Sequence, residues 1–287
     1  MSAPTVRRRR LAGKLRALRG DLSLEEVAEK SGGAFTLSKL SRLERAESAP
    51  KAKDVEALLD LYVQLGRDVD DELRAALLTL TRTGAQRGWW HSYRGIVTPT
   101  YEDLISLEAE ATAVSMWQVG AIPGLLQTSD YARAFIRTTA MTEGFESKVD
   151  ALVEVRLARQ AVLTRDDPLN LWAIITEGAL RTKVAGDGVM REQLSRLLTL
   201  SKRPNVNLQI MPSDAPPHVG QMGSYTLLGF EDRPDLDVVH TESLTSALYI
   251  EDRAQVGVYR EGFGRLRATA LGVEASMARI TEIRDQL

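Results

Sequence analysis

The sequence predicts a mainly α-helical protein with a second domain of the α+β class. The chain has 287 residues, and at roughly 150 residues per domain this length favours two domains. Residues 1–85 show closely spaced helical patterns, whereas residues 86–287 mix helical periodicity with short strand-like runs. The charge also changes along the chain: residues 1–53 carry 13 Lys/Arg and 6 Asp/Glu, and the remainder carries 24 and 33.

The first domain is predicted to contain five short helices. A Ser at position 23 and a Glu at position 26 form a capping-box pattern that begins the second helix, and Ser31-Gly32-Gly33 ends it. Thr36 is the expected N-cap of the third helix. The five helices are expected at residues 6–19, 24–30, 37–45, 54–65 and 71–81.

The third helix divides into two faces at 100° per residue. Its leucines, at positions 37, 40 and 43, are expected on one face, and Ser38, Ser41, Arg42 and Arg45 lie on the other, with Lys39 on the flank. Such a helix can enter the DNA major groove, where arginine guanidiniums pair with guanine O6 and N7 or with phosphates. The alternative is a surface helix with solvated arginines, and the basic balance of residues 1–53 favours the first interpretation.

A run of four arginines, Arg7, Arg8, Arg9 and Arg10, begins the first helix. Basic N-terminal arms enter the minor groove or follow phosphates. A solubilising tail is the alternative interpretation.

Several separated motifs together resemble a known family, the actinobacterial Cro/repressor-type helix-turn-helix regulators that carry a C-terminal domain of unknown function. The DNA-binding part is represented by residues 22–28 and 38–44. The C-terminal part is represented by Gly88-Trp89-Trp90, Leu107-Glu108-Ala109-Glu110, the stretches 119–128 and 131–133, Arg156-Leu157-Ala158-Arg159-Gln160, residues 203–206 and residues 242–249.

The resemblance implies an antitoxin-like transcriptional regulator that binds double-stranded DNA and acts with a small protein encoded beside it. It places Thr36, Leu37, Ser38 and Arg42 next to the bases, which leaves Lys39, Ser41 and Arg45 as phosphate contacts. Because one recognition helix covers a half-site, we expect a homodimer.

The chain departs from the family pattern at three places. Leu24 stands where a phosphate-contacting glutamine is usual, the turn 30–35 is about two residues longer, and Ala46 replaces a common glycine. These departures imply one lost backbone contact and a differently set recognition helix.

The second domain, residues 86–287, begins after a predicted linker at 84–88 and is interpreted as α+β. Helices are expected at residues 101–117, 130–139, 146–164, 190–201, 252–270 and 273–287. Strands are expected at residues 169–176, 205–211, 224–230, 236–241 and 246–250. The helix between the first two strands has βαβ spacing.

The sequence contains no cysteine, which excludes disulfide scaffolds, zinc fingers and thiol nucleophiles. It also lacks the G-x-S-x-G, Walker and H-E-x-x-H patterns. The histidines, His91, His218 and His240, have no spacing that requires a metal. We therefore expect no enzyme activity, cofactor or metal, and a cytoplasmic protein without a membrane span.

Aromatic residues give the second domain a candidate site for a partner protein or effector. Trp89, Trp90 and Trp117, with His218 in a Pro-rich loop, are its candidate residues; core packing is the alternative. Two rival functions stay open, namely a helix-turn-helix used for protein contact and an enzyme fused to a DNA-binding module.

Overall fold

The chain divides into two compact units, Met1–His91 and Ser92–Leu287. The computed structural model describes residues 6–48, 50–82, 89–93, 95–139, 145–230, 236–244 and 246–287. The predicted linker 84–88 and the predicted boundary after residue 85 lie outside the described residues, and the division by contacts comes a few residues later.

The first unit is helical in its described part, as predicted. Ser23 accepts a hydrogen bond from the Glu26 amide, and the Glu26 carboxylate accepts one from the Ser23 amide, which completes the capping box. Thr36 caps the third helix by accepting from the Lys39 amide at 3.2 Å. The helices are α1 (Val6–Arg19), α2 (Leu24–Lys30), α3 (Leu37–Glu44), α4 (Ala52–Gln64) and α5 (Asp71–Arg82).

The turn between α2 and α3 is built around Ser31. Its hydroxyl donates to the Ala28 carbonyl at 2.7 Å and accepts from the Phe35 amide at 3.1 Å. Gly32 and Gly33 adopt φ angles of 60° and 90°, which suit glycine because it has no Cβ. The turn places Phe35 against the core, where it is 4% exposed.

A single apolar core holds the five helices together. Leu24, the first departure from the family pattern, packs against this core as a partly buried side chain. The buried members are Leu11, Leu15, Val27, Phe35, Leu40, Val55, Leu58, Leu59, Leu61, Tyr62 and Leu77.

The second unit is an α+β domain with a six-stranded mixed sheet, which confirms the predicted class. Its helices are α6 (Pro99–Glu110), α7 (Ser129–Thr139), α8 (Val149–Arg159), α9 (Glu177–Arg181), α10 (Asp187–Leu200), α11 (Arg253–Thr269) and α12 (Val273–Asp285). Its strands are β1 (Ala113–Gln118), β2 (Asn170–Thr176), β3 (Val206–Met211), β4 (Tyr225–Gly229), β5 (Val238–Glu242) and β6 (Ala247–Ile250).

The strand order is β3-β2-β1-β4-β5-β6. The strands β1, β2 and β3 are parallel, so helical crossovers connect them, and the predicted βαβ arrangement of β2, α10 and β3 is confirmed. The strand β4 pairs antiparallel with β1, and the antiparallel pattern continues through β5 and β6.

The predicted helix at residues 101–117 is wrong in its second half. The helix α6 ends at Glu110, Ala111 takes an extended conformation, and β1 begins at Ala113. Pairing with both β2 and β4 satisfies the backbone of β1 on its two sides. The tertiary context therefore overrides a local pattern that fits a helix.

The two faces of the sheet are covered differently. On one face Trp117, Leu227 and Val239 belong to an apolar cluster with Phe263 and Leu266 of α11. Their strand neighbours point to the other face, because side chains alternate along a strand. There Met116, Thr226 and His240 line a cavity together with side chains of α6, α7 and α8.

Candidate nucleic-acid interface and a cavity in the second unit

The helix α3 buries one side and leaves the other in solvent. Leu40 and Leu43 are 1% and 5% exposed, whereas Ser38, Arg42 and Arg45 are exposed. The Nε atoms of the two arginines donate to the carbonyls of Ser38 and Ser41, at 3.3 and 3.4 Å. The outward face is therefore a row of hydroxyl and guanidinium groups on a leucine-backed helix.

The helical angle of Leu37 predicted a place on the buried leucine face, and this prediction is wrong. It is 43% exposed and stands at the first position of α3. Thr36 beside it is also exposed. The N-terminal end of α3 is thus accessible, which is the part of a recognition helix that contacts base edges.

Lys39 is bound within its own unit. Its ammonium lies 3.1 Å from the Asp54 carboxylate and 4.7 Å from the centre of the Phe35 ring. It is half-buried, like Ser41, so the flank of α3 is tied to α4.

An ion pair fixes the C-terminal end of α3. Arg19, the last residue of α1, donates to both carboxylate oxygens of Glu44, at 2.7 and 3.0 Å. This contact raises the pKa of Arg19, and both side chains are largely buried. Beyond the helix end, Ala46 takes a φ of 57°, so the alanine adopts the left-handed conformation that a glycine usually supplies.

The arginine run is helical, because Val6–Arg19 is one helix. Arg8 and Arg9 are half-buried, and nothing is described of the Arg7 side chain. Arg10 is 4% exposed, so burial removes it from the predicted set of DNA contacts.

The second unit contains a cavity of about 600 Å³ between the sheet and α6, α7 and α8. A buried ion pair forms part of its wall. Arg159 donates to both oxygens of Glu108, at 2.6 and 2.8 Å, and to the Tyr101 hydroxyl at 2.5 Å. Burial by itself lowers the pKa of Arg159, but the Glu108 charge together with the contacts to Tyr101 raises this pKa above its ordinary value.

Buried glutamines hold the loop that borders this cavity. Gln160 donates to the carbonyls of Gly124 and Gln127, at 3.1 and 2.8 Å. Gln193 accepts from the Thr128 amide at 2.7 Å and donates to the Leu126 carbonyl at 2.9 Å. The loop is thus fixed by side chains of α10 and of the turn after α8.

A second arginine, Arg156, lies one helical turn before the ion pair. Its Nη1 donates to the Gln127 side-chain oxygen at 3.0 Å. Its Nε is buried and has no hydrogen-bond acceptor in the described part of the chain. The side chain lines the cavity with a guanidinium that faces a neutral amide rather than a carboxylate.

His240 on β5 reaches the cavity from the sheet. Burial, with a smaller effect of the Arg159 charge, lowers the pKa of His240 to about 4, so the ring is neutral near pH 7. The ring lies 4.9 Å from that of Tyr249, whose hydroxyl donates to the Thr100 carbonyl at 2.6 Å.

Both units match known domain families. Residues 10–77 match a helix-turn-helix domain, and residues 101–282 match a domain of unknown function, DUF5753. The chain belongs to the DUF5753 family. The helix-turn-helix match indicates DNA binding and a role in regulation. No curated protein and no solved structure gives a significant match.

Of the predicted aromatic site, Trp117 and His218 lie in the second unit and contact each other. Trp117 is 1% exposed, and its indole donates to the Gly220 carbonyl at 2.9 Å. His218 lies edge-on to this ring, with 5.4 Å between the ring centres. Trp117 belongs to the apolar cluster that includes Phe263 and Leu266 of α11, so this indole is part of the core of the DUF5753 domain.

Trp89 and Trp90 belong to the first unit. They lie on the short 3₁₀ helix Trp89–Tyr93 and contact each other edge-to-face, with 5.8 Å between the ring centres. Trp89 is 41% exposed.

Sequence reasoning missed the cavity residues of the DUF5753 domain, although the motifs contained them. Glu108, Gln127, Arg156 and Arg159 all stand in the stretches that carried the family resemblance. The signal was present as motifs far apart in sequence, but their convergence on one cavity required the fold.

Two findings concern other kinds of site. None of the described helices is long and apolar enough to cross a membrane. Within the described ranges, no group of three or more His, Cys, Asp or Glu side chains could hold a metal ion.

Proposed function

We propose that this DUF5753 protein is a sequence-specific transcription regulator that reads duplex DNA with α3. The observation that supports the proposal is the exposed outer face of α3. Arg42, Ser38 and Arg45 are exposed there, while Leu40 and Leu43 hold the helix on its domain. The bidentate Arg19–Glu44 contact fixes the helix end and so limits the freedom that α3 would lose on binding.

Base and phosphate contacts are divided along α3. We assign Thr36, Leu37, Ser38 and Arg42 to the bases, because these side chains are exposed at or near the N-terminal half. Arg45 and Ser41 are assigned to phosphates, and Lys39 needs to leave Asp54 to join them. Phosphate contacts position the domain, and base contacts select the sequence.

The proposed assembly on DNA is a homodimer. One α3 covers one half-site, and two copies reach half-sites about 34–36 Å apart on the same side of the duplex.

The experiment is a selection from a pool of duplexes with randomised centres, with the full-length chain as the bait. Enriched sequences should contain two inverted half-sites whose centres lie about 10 base pairs apart. The logarithm of the binding constant should fall linearly with the logarithm of the salt concentration. If no sequence is enriched and the retention of duplex DNA does not depend on the salt concentration, the helix-turn-helix serves protein contact and the proposal fails.

A small partner protein is the second proposed ligand, and exposed apolar residues of the DUF5753 domain favour it. Met222 and Val258 are 92% and 70% exposed. They lie on the 3₁₀ helix Val219–Met222 and on α11, which pack against each other. Exposed apolar side chains on two elements that pack together can contribute to one protein contact surface.

Co-expression with the small protein encoded beside the gene tests this surface. We expect co-elution on gel filtration, and we expect Met222→Glu with Val258→Glu to separate the two proteins. Separate elution of the unsubstituted pair would contradict the partner proposal and leave the DNA proposal unaffected.

We assign no catalytic role to the DUF5753 domain. Both oxygens of Glu108 accept from Arg159, so this carboxylate is engaged as an ion-pair partner rather than offered as a base. A fused hydrolase would require a nucleophile or an activated water next to these groups. Incubation with chromogenic ester and phosphate substrates tests this assignment, and hydrolysis abolished by Glu108→Gln would refute it.

A further inference from the structure

The cavity of the DUF5753 domain has an apolar wall. Its volume of about 600 Å³ lies within the range of sites that enclose small organic molecules, roughly 300–1,000 Å³. The apolar side chains come from the sheet, from α7 and α8, and from the loop after β1. They include Met116, Ile122, Phe135, Ile136 and Leu152.

Arg156 supplies this wall with an uncompensated positive charge. In the described part of the chain its guanidinium meets the Gln127 amide and no carboxylate within ion-pairing distance. The stem lies against the loop, since a Cβ on Gly124 would be 3.9 Å from Arg156 Cγ and Cδ. The Phe135 ring centre is 6.0 Å from Arg156 Cζ, so the cation borders an aromatic surface.

The negative charge deepest in the wall is already neutralised. Glu108 is 1% exposed, and both of its carboxylate oxygens accept hydrogen bonds from Arg159, so this pair contributes little net charge. Glu242 also lines the cavity, but it is exposed at the end of β5. Among the described lining residues, the charge left inside the apolar part is therefore that of Arg156.

Two of the neutral polar groups in the lining have hydrogen-bonding capacity left for a ligand. The Tyr101 hydroxyl accepts from Arg159, which leaves its own proton for another acceptor. The imidazole of His240 makes no hydrogen bond within the described residues and is 7% exposed. Both groups line this cavity and the smaller one of about 220 Å³ beside it.

We propose that this cavity binds an organic acid, with its carboxylate on Arg156 and its apolar, partly aromatic body between Phe135, Met116 and Leu152. Arginine pairs with carboxylates through two parallel N–H donors, and such charge-assisted hydrogen bonds are the strong ones. Tyr101 and His240 would hydrogen-bond a second polar group of the ligand. The inference goes beyond the proposed function, which assigns duplex DNA and a small partner protein to this chain.

The same observations select against two other classes of ligand. A nucleoside polyphosphate carries several negative charges, whereas one arginine is uncompensated here. An inorganic anion would fill a small part of 600 Å³ and leave the apolar wall without a partner. A monoanion of roughly 15–25 non-hydrogen atoms fits both the volume and the charge.

The test is calorimetric titration of the full-length protein, without DNA, with 4-biphenylacetate and with 4-biphenylacetamide. The two probes have almost the same shape and differ in charge. We expect the acid to bind at least roughly ten-fold more tightly than the amide, as charge-assisted hydrogen bonds imply. This comparison needs no variant, so a failure to fold cannot obscure it.

Variants then test whether Arg156 supplies the positive charge that binds the carboxylate. Arg156→Gln should weaken binding of the acid by roughly ten- to hundred-fold and leave binding of the amide unchanged. Arg156→Lys should restore part of the lost affinity for the acid. The matched control is Arg191→Gln, an exposed arginine of α10 away from the cavity, which should bind like the unsubstituted protein.

Equal binding of acid and amide, or no binding of either at millimolar concentration, would overturn the inference. Unchanged binding of the acid by Arg156→Gln would overturn it as well. Because these titrations contain no DNA, their failure is distinct from a failure of the sequence selection, which tests the regulator function by itself.

Discussion

Arg42 and Arg45 are both exposed on α3, yet their neighbours differ. Arg45 lies beside the carboxylate of Glu47, at 3.2 Å, near the end of the helix. Arg42 has no ion-pair partner within the described residues and its Nε donates to the Ser38 carbonyl. The proposed base contact is therefore assigned to Arg42, and the proposed phosphate contact to Arg45.

Arg42→Ala should cost about 1–3 kcal/mol of binding free energy on the selected sequence and relax the preference at one position. Arg45→Ala should weaken binding to all sequences about equally. It should also reduce, by about one, the slope of the logarithm of the binding constant against the logarithm of the salt concentration, as the loss of one phosphate contact does. Fluorescence anisotropy on selected and scrambled duplexes measures both. Equal losses on both duplexes for Arg42→Ala would contradict its assignment to a base.

Gly220 illustrates how one residue without a side chain supports the DUF5753 core. A Cβ there would lie 2.5 Å from Trp117 Cε2, and its carbonyl accepts from the same indole. Gly220→Ala should lower the free energy of unfolding by about 1–3 kcal/mol, because the indole and the backbone must move apart.

Gly264→Ala is the matched control for that substitution. This glycine is exposed on α11 with open space around its Cβ position. The change should stabilise the protein by about 0.5–1 kcal/mol, since alanine loses less backbone entropy in a helix. Urea unfolding measures the free energy of unfolding of both variants. An unchanged value for Gly220→Ala would show that the indole is loosely held.

At the scale of elements, α3 is fixed at both of its ends. Thr36 and the Ser31 turn set the beginning, and the contact of Glu44 with Arg19 on α1 sets the end. Tyr62 is buried nearby, where burial and the Glu44 charge raise the pKa of its hydroxyl. The recognition helix is therefore oriented by contacts from outside itself.

Glu44→Gln should loosen α3 relative to α1, because an amide keeps one acceptor but loses the charge. We expect a destabilisation of the first unit by about 1–3 kcal/mol, the range for hydrogen bonds to charged groups. Faster amide hydrogen exchange in α1 and α3 would report it. Glu29→Gln on the exposed side of α2 is the control; the same exchange rates in both variants would show that the ion pair does not hold the helix.

On the scale of the whole molecule, the charge balance differs between the beginning of the chain and the rest. The basic residues concentrate before position 54 and the acidic ones after it, which suits a polyanion at one end. The DUF5753 domain buries titratable groups in its interior, as the first unit does with Tyr62. His240 is the clearest case, because burial holds its pKa near 4 instead of 6.5.

This burial makes the stability of the DUF5753 domain depend on pH. Between pH 6.5 and pH 4 the unfolded chain binds a proton on His240 that the folded chain does not. The free energy of unfolding therefore falls as the pH is lowered through this window, by about 3 kcal/mol in total.

His240→Gln should remove this contribution, so its loss of stability between pH 7.5 and pH 4.5 should be smaller than that of the unsubstituted protein. Urea unfolding at the two pH values measures the difference. His218→Gln, which keeps His240, is the control. An equal loss in His240→Gln would place the acid sensitivity on other groups.

The sequence by itself determined the helical unit almost element by element. Its helices begin at local signals, such as the Ser23–Glu26 capping box and the Thr36 cap, and their buried faces follow from leucine spacing. These signals act within one or two turns of chain, so they are readable without the fold. The exposure of Leu37 was the exception, because the first residue of a helix can lie beyond the edge of the core.

The tertiary structure alone decided the β1 strand and the cavity. Residues 113–118 became a strand because β2 and β4 pair with them on both sides, and that placed Trp117 in the core. Glu108, Arg156 and Arg159 meet around one cavity only through the packing of α6 and α8 against the sheet. Contacts between residues far apart in sequence leave no periodic pattern, and for this reason the motifs were visible while their common site was not.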